Sequence, residues 1–345
     1  MRFVLLLWLL LCATFVNAQQ TFTVAELNAE NLFDCQHDEG KNDEEYLPEG
    51  GRKWTPQRLK EKLRNISKTL MSMGNMTPPD IIALIEVEND SVLKKLTRHT
   101  LLRKARYQYV LAEGDDPRGI DVALLYMPES FKLISHRAIK PIGREHLPIA
   151  TRSILHAQGR IITGDTLHIF VCHLSSKLRG RQAMRHRMSE AHCLRQAVDS
   201  LQANGTKHII ILGDFNDTPS SPVMTKALAI SPKAIHEHPI VADKLYNLAD
   251  KMDISERNRF GGTYKYDSKW EMLDQCIVTG KLLDSTSDFF TSYDRFHVWS
   301  PDFLLEKDLE DLALRPRRTY TGYRYQGGYS DHLPIFTRFT IKWNW

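Results

Sequence analysis

Four apolar runs in this chain end in polar residues suited to phosphate chemistry, and a fifth begins just after such residues. Run 22–27 passes into Asn28-Ala29-Glu30-Asn31, and run 81–85 ends at Glu86-Val87-Glu88-Asn89. Run 167–171 ends at Cys172-His173-Leu174-Ser175-Ser176, and run 208–212 at Gly213-Asp214-Phe215-Asn216-Asp217. Gly327-Gly328-Tyr329-Ser330-Asp331-His332 precedes the last run. A hard divalent cation takes oxygen ligands, a few from carboxylates, and Asn28, Glu86 and Asp331 could supply such a set. A nearby aspartate could orient or deprotonate water, and a histidine could carry charge at a phosphoryl oxygen. Singly these motifs are weak, since Gly-Asp-Phe-Asn also makes turns and a lone glutamate commonly ends a strand in solvent. Five in order on one chain point to a site.

The elements that must position them are short β-like runs rich in Val, Ile, Leu and aromatic residues, with turn formers at their edges. They fall at 22–27, 81–87, 107–111, 121–126, 131–136, 167–173, 208–212, 273–278 and 334–341. Two stretches are helical in pattern. Residues 56–73 place Leu59, Leu63, Ile66 and Leu70 on one face after Pro56, and 181–204 space Met184, Met188, Ala191, Leu194 and Val198 as a buried stripe. Strands interspersed with helices predict an α/β protein. Strands follow one another without a helix at 107–136 and 151–173, so the sheets should be mixed, with helices outside.

The order Asn28-x-Glu30, Glu86, His173, Gly213-Asp214-Phe215-Asn216, Leu273-Asp274-Gln275, Ser330-Asp331-His332 resembles the endonuclease/exonuclease/phosphatase superfamily, from about residue 22 to residue 339. Longer stretches, among them Asn31-Leu32-Phe33-Asp34 and Arg118-Gly119-Ile120-Asp121, resemble a secreted bacterial branch of it. The resemblance implies a four-layer α/β sandwich of the deoxyribonuclease type: two packed mixed β-sheets flanked by helices, with the site at one edge. It implies Glu86 as the principal carboxylate for Mg²⁺ or Mn²⁺, with Asn28, Glu30 and Asp331 near the ion. Asp214 would orient or deprotonate the attacking water, helped by Asn216. His332, polarised by Asp274, would contact a phosphate oxygen, and His173 would donate to the phosphate. Ile85 stands where relatives commonly carry Gln, and Ser175-Ser176 where many carry a Trp-Pro-Ser stretch.

Two basic clusters adjoin these segments: Lys177, Arg179, Arg181, Arg185 and Arg187, then Arg315, Arg317, Arg318 and Arg324. They form either a solvated face or a groove for phosphates, with Ser175, Arg179 and Arg181 as candidate substrate contacts. Tyr320, Tyr323, Tyr325 and Tyr329 interleave with the second cluster and could stack on bases or sugars. The acidic stretch 34–49 is expected to be a solvated loop, with an additional Ca²⁺ as the alternative, because its carboxylates lack the spacing of a dedicated calcium loop.

Composition bounds the rest. Lys and Arg number 46 against 42 Asp and Glu, a net charge of +4, too mild to hold nucleic acid by bulk charge. Met1-Arg2-Phe3, an apolar run over 4–16 and the small residues Val16 and Ala18 read as a signal peptide over 1–18. The expected product is one exported domain, periplasmic or extracellular, over 19–345. No later run is apolar enough to span a bilayer. Cys35, Cys172, Cys193 and Cys276 form no CxxC pair, and the last three read as small buried hydrophobes. The expectation is an exported metal-dependent phosphoesterase, leaning to phosphodiester cleavage as in a nuclease. The alternatives are a phosphatase or phospholipase-like esterase on a sugar, inositol or lipid head group, and a silent phosphate-binding protein.

Overall fold

The computed structural model describes residues 20–74, 77–143, 147–177, 180–230, 239–250 and 254–342. The expected signal peptide and Arg179 lie outside them. The first sheet contains β1 (Gln20–Leu32), β2 (Ile81–Val87), β3 (Gln108–Ala112), β4 (Asp121–Tyr126) and the C-terminal strand Ile335–Ile341. Its order is Phe289–Phe290, C-terminal strand, β1, β2, β4, β3, with Phe296–Val298 also on the C-terminal strand. The second contains β5 (Phe131–Ile139), β6 (Ile154–Ile161), β7 (Thr166–His173), β8 (Ile209–Asp214), then Asp274–Thr279 and Leu245–Asn247, in that order. Both are mixed: β1 and β2 run parallel, as do β7 and β8, and the other pairings are antiparallel.

Strand alternation builds the layers. Val24, Ile81, Ala83 and Ile85 face Ile169, Val171, Ile210 and Leu212 in a core between the sheets. Ile82, Leu84 and Val87 point the other way, onto α1 (Pro56–Ser72) and α2 (Asp90–His99). Phe170, Cys172, Ile209 and Ile211 pack outward against Ala191, Leu194 and Val198 of α3 (Gly180–Ala203). The result is the four-layer α/β sandwich expected from the resemblance. Thr55 caps α1 by accepting the Arg58 amide, with Pro56 in the first turn, and Asn89 caps α2 by accepting the Val92 amide. The periodicity argument passed over α2, whose ten residues lie directly beyond a strand-end motif. The four cysteines among the described residues, Cys35, Cys172, Cys193 and Cys276, are free. Cys172 and Cys276 are buried as expected, whereas Cys193 is half-buried, because it lies on the flank of α3 rather than on its inner face.

Candidate active site

The strand ends that carry the polar residues converge at one edge, and their backbones are bent to do so. Glu30, Asn31, Glu86 and Asn216 all have left-handed φ, between 48° and 61°. The registers of β1 with β2 and of β2 with β4 slip there, between Asn28 and Leu32 and between Ile85 and Val87. A bulge re-aims the side chain at a strand end, and non-glycine residues held left-handed mark positions fixed by their surroundings. Gly213, at φ +149°, lies so close to the neighbouring strand that a Cβ there would stand 1.9 Å from the Cys172 carbonyl oxygen. Only glycine lets β8 approach β7 where His173 and Asp214 pair across the ladder.

At the centre is Asp214. Its Oδ2 accepts the Asn28 side-chain amide at 3.2 Å and lies 3.6 Å from His173 Nε2 and 3.9 Å from His332 Nε2. Its Oδ1 accepts the Asn216 backbone amide at 2.7 Å. His332 Nδ1 lies 2.7 Å from Asp274 Oδ2, and its ring packs 4.7 Å from the ring of Tyr264. Glu86 accepts the Asn31 amide through Oε2, leaving Oε1 3.8 Å from His173 Nε2. Ser330 donates to the Asn28 carbonyl and accepts the His332 amide, so the last motif is fastened to the first.

The two imidazoles are tuned in opposite directions. Burial and the cations Arg152 and Arg118 push His173 well below its ordinary value, so it is neutral. Burial would lower His332 as well, but Asp274, Asp214 and Asp331 overcome it and hold the imidazolium well above the ordinary value. Burial first, then Asp274, pushes Asp214 up to about 7, against the opposing pull of His332.

A family model described as the Endonuclease/Exonuclease/phosphatase family matches residues 23–341. The chain belongs to that family. Its members hydrolyse phosphate esters, and the chain is an enzyme of that type. Solved structures share the fold. The human Nocturnin catalytic domain with bound sulfate is 16% identical, with a TM-score of 0.54, over 94% of this chain and 98% of that one. A mannosyl-6-phosphatase from Bacteroides thetaiotaomicron is 17% identical, TM-score 0.55, over 92% and 99%. TDP2 from D. rerio, complexed with a single-strand DNA product, is 15% identical, TM-score 0.53, over 93% and 99%. No curated protein matches by sequence.

The endonuclease/exonuclease/phosphatase family is generally dependent on a divalent metal, and Asp214, Asp274 and His332 bring ligand atoms within 4.8 Å of one another. That trio already has internal partners, because His332 lies between two carboxylates. Glu86 Oε1 and the Asn28 carboxamide oxygen suit a hard cation better, and Asp331 lies within electrostatic reach of Glu30, Lys62, Arg318 and His332. Glu30 is placed differently. Both its oxygens accept backbone amides, those of Thr319 and Tyr320, and Oε2 lies 3.6 Å from Lys62 Nζ. Ser175 is also engaged, its hydroxyl and amide both donating to Glu190. Arg181 is exposed on the first turn of α3. In the acidic stretch, Asp43 accepts the Asp38 amide and pairs with His37, and Asp34 accepts the Gln36 amide, so these carboxylates brace their own loop.

Four site residues escaped the sequence reading. Glu26 is fully buried, and burial together with Asp274 and Asp214 raises it well above the carboxylate range, which makes it a neutral acid beneath the site. Among the described residues its oxygens and Asp274 Oδ1 have no other partner, and a proton on Glu26 can be donated to Asp274. Its signal was a charged residue in the middle of an apolar run. Arg152 braces the end of β7 by donating to the His173 and Leu174 carbonyls and to Asp116. Arg118, half-exposed, is held cationic by Glu86 and Asp116. Lys62 has only 1% of its surface exposed although it sits in a helix whose stripe looked wholly apolar.

Proposed function

We propose that this enzyme is an exported, divalent-metal-dependent phosphoesterase that acts by in-line attack of water on phosphorus. The observation that carries the reading is the convergence on Asp214 Oδ2 of the Asn28 amide at 3.2 Å, His173 Nε2 at 3.6 Å and His332 Nε2 at 3.9 Å, with His332 held by Asp274. Glu86, Asn28 and Asp331 would hold Mg²⁺ or Mn²⁺, which when bound neutralises charge developing on the phosphoryl oxygens. Asp214, anchored by Asn28 and the Asn216 amide, accepts the proton of the attacking water. His332 offers Nε2–H of an imidazolium to a phosphoryl oxygen while Asp274 fixes its orientation. Neutral His173 sets Nε2 between Glu86 and Asp214, where it can donate without adding charge that would compete for Asp214. The half-exposed Arg118 beside Glu86, and Arg318 beside Asp331, set further positive charge at the mouth.

The substrate reading moves from the nuclease towards a compact ester. Lys177 is bonded to Glu271, Arg187 to Asp217, Arg315 to Glu306 and Asp308, and Arg318 to the Lys265 carbonyl. These four are drawn into the protein's own contacts, whereas Arg181, Arg185, Arg317 and Arg324 stand exposed, so the clusters offer a shorter track for a polyanion than the sequence suggests. The similarity to a mannosyl-6-phosphatase and to TDP2 complexed with a single-strand DNA product leaves monoester and diester cleavage as the two forms of the proposal. The test is one panel with Mg²⁺, Mn²⁺ and Ca²⁺: a chromogenic monoester, a chromogenic diester, sugar phosphates, RNA and plasmid DNA. Hydrolysis of small esters with slow or no nicking of plasmid supports the compact-ester reading. Rapid plasmid digestion with inert small esters overturns it. Export is tested by fractionating the producing cell; retention of an uncleaved chain in the cytoplasm contradicts it.

A further inference from the structure

Lys62 is a buried cation that the mechanism above does not use. It lies in the middle of α1, and its Nζ meets acceptors from three separate parts of the chain. It donates to Thr319 Oγ1 at 2.5 Å and to the Tyr329 carbonyl at 2.8 Å, and lies 3.6 Å from Glu30 Oε2. One turn further along, Asn65 Nδ2 donates to the carbonyls of Gly327 and Gly328 at 3.1 and 2.8 Å. Two side chains of one helix thus take three consecutive carbonyls, 327 to 329, immediately before Ser330-Asp331-His332. Glu30 completes the arrangement from β1, accepting the amides of Thr319 and Tyr320. The two ends of the segment are pressed together as well. The Tyr329 amide donates to the Arg317 carbonyl, and a Cβ on Gly328 would stand 2.2 Å from that oxygen.

We propose that Lys62 is a positioning residue: with Asn65 and Glu30 it latches the 317–330 segment to α1 and β1, and so sets where Asp331 and His332 stand in the reaction site. An ammonium brings three donors to one point, which no apolar residue of similar length could do. In this role Glu30 serves the site as a clamp on the backbone rather than as an ion ligand. The linkage to chemistry is short. Tyr329, held by Lys62, precedes Ser330, whose hydroxyl bonds the Asn28 carbonyl and accepts the His332 amide.

This inference rests on the phosphoesterase reading for its kinetic arm only. The variants are Lys62→Met, which keeps the stem and removes charge and donors, and Asn65→Ala, a milder cut to the same latch. Amide hydrogen exchange is followed by mass spectrometry alongside kcat and KM on whichever small ester the wild type hydrolyses. The expected result is faster exchange confined to peptides covering 317–332, kcat lower by about tenfold or more, and KM within about threefold, because a misplaced His332 loses transition-state rather than ground-state contacts. Unchanged exchange in that segment, or a folded variant whose kcat stays within about twofold of wild type, overturns the proposal. Should Lys62→Met not fold, Asn65→Ala carries the same expectations and the same contradiction. If the wild type hydrolyses no ester at all, the functional reading fails, and the exchange data alone judge the latch.

Discussion

Asp214 and His332 hold opposite charges in one buried cluster, and that arrangement fixes what their substitutions should do. Asp214→Asn can keep the Asn216 contact through its remaining oxygen but turns a donor towards the Asn28 amide and removes the proton acceptor, so kcat should fall by about 10²–10⁴. His332→Ala should cost a similar factor, read in the same assay. The pH profile carries more information. Activity requires Asp214 ionised and His332 protonated, so it should rise through a limb near 7 or, with a cation bound beside Asp214, below it. It should fall again on the alkaline side, at the raised value of His332. Asp274 is the principal support of that imidazolium. Asp274→Asn should therefore shift the alkaline limb downward by about one unit or more, and the acid limb downward by less, because Asp274 also raises Asp214. An alkaline limb that stays put would show that His332 is not the group titrating there.

Elements place these residues through close approaches that a sequence conveys unevenly. The runs at 81–87 and 121–126 coincide with β2 and β4 because uninterrupted apolar stretches flanked by polar residues read plainly as central strands. The first strand extends to Leu32, five residues beyond the apolar run, because its bulge carries Asn28, Glu30 and Asn31 while the ladder to β2 resumes at Leu32. No alternation pattern announces a bulge built from non-glycine residues. The catalytic set was legible because each member sits at one end of a strand. Glu26, Lys62 and Arg152 were not, because their work is done through partners far away in sequence. Two glycines test the packing. Gly213→Ala should destabilise by about 3–5 kcal/mol, since its Cβ would collide with backbone that cannot retreat. Gly159→Ala drives a Cβ to within 2.3 Å of the Phe131 ring in the core and should cost about 1–3 kcal/mol. Chemical denaturation of each variant measures both.

At the scale of the whole molecule, two sheets must stay packed for five strand ends to meet, and part of that packing is sensitive to acid. His156 and His168 stack on the second sheet with rings 5.2 Å apart and nitrogens 3.0 Å apart. Burial, His168 and Arg137 lower His156 to about 4, and burial lowers His168. Both folded values lie below the unfolded value near 6.5, so the stabilising contribution is present above 6.5 and is lost as pH falls towards 4. The melting temperature should drop across that window, and His156→Gln should flatten the drop; an unaltered slope would contradict it. The layers, the mixed sheets and the single site edge were all within reach of the sequence once the motifs were placed in order. The internal pairing of Lys177, Arg187 and Arg315 was not, because Glu271, Asp217, Glu306 and Asp308 reach them only through the fold. Among the described residues no helix is long and apolar enough to cross a membrane.

The central claim is that the strand-end cluster is a metal-assisted phosphoesterase site, and one titration tests it most directly. Protein stripped with EDTA is assayed on the best small ester of the panel while Mg²⁺ or Mn²⁺ is returned, with Glu86→Gln carried in parallel. The account predicts no turnover in chelator, full recovery with the ion in the wild type, and recovery in Glu86→Gln that is absent or needs far more ion. Undiminished hydrolysis in EDTA, or a Glu86→Gln enzyme with the wild-type metal response, would contradict it.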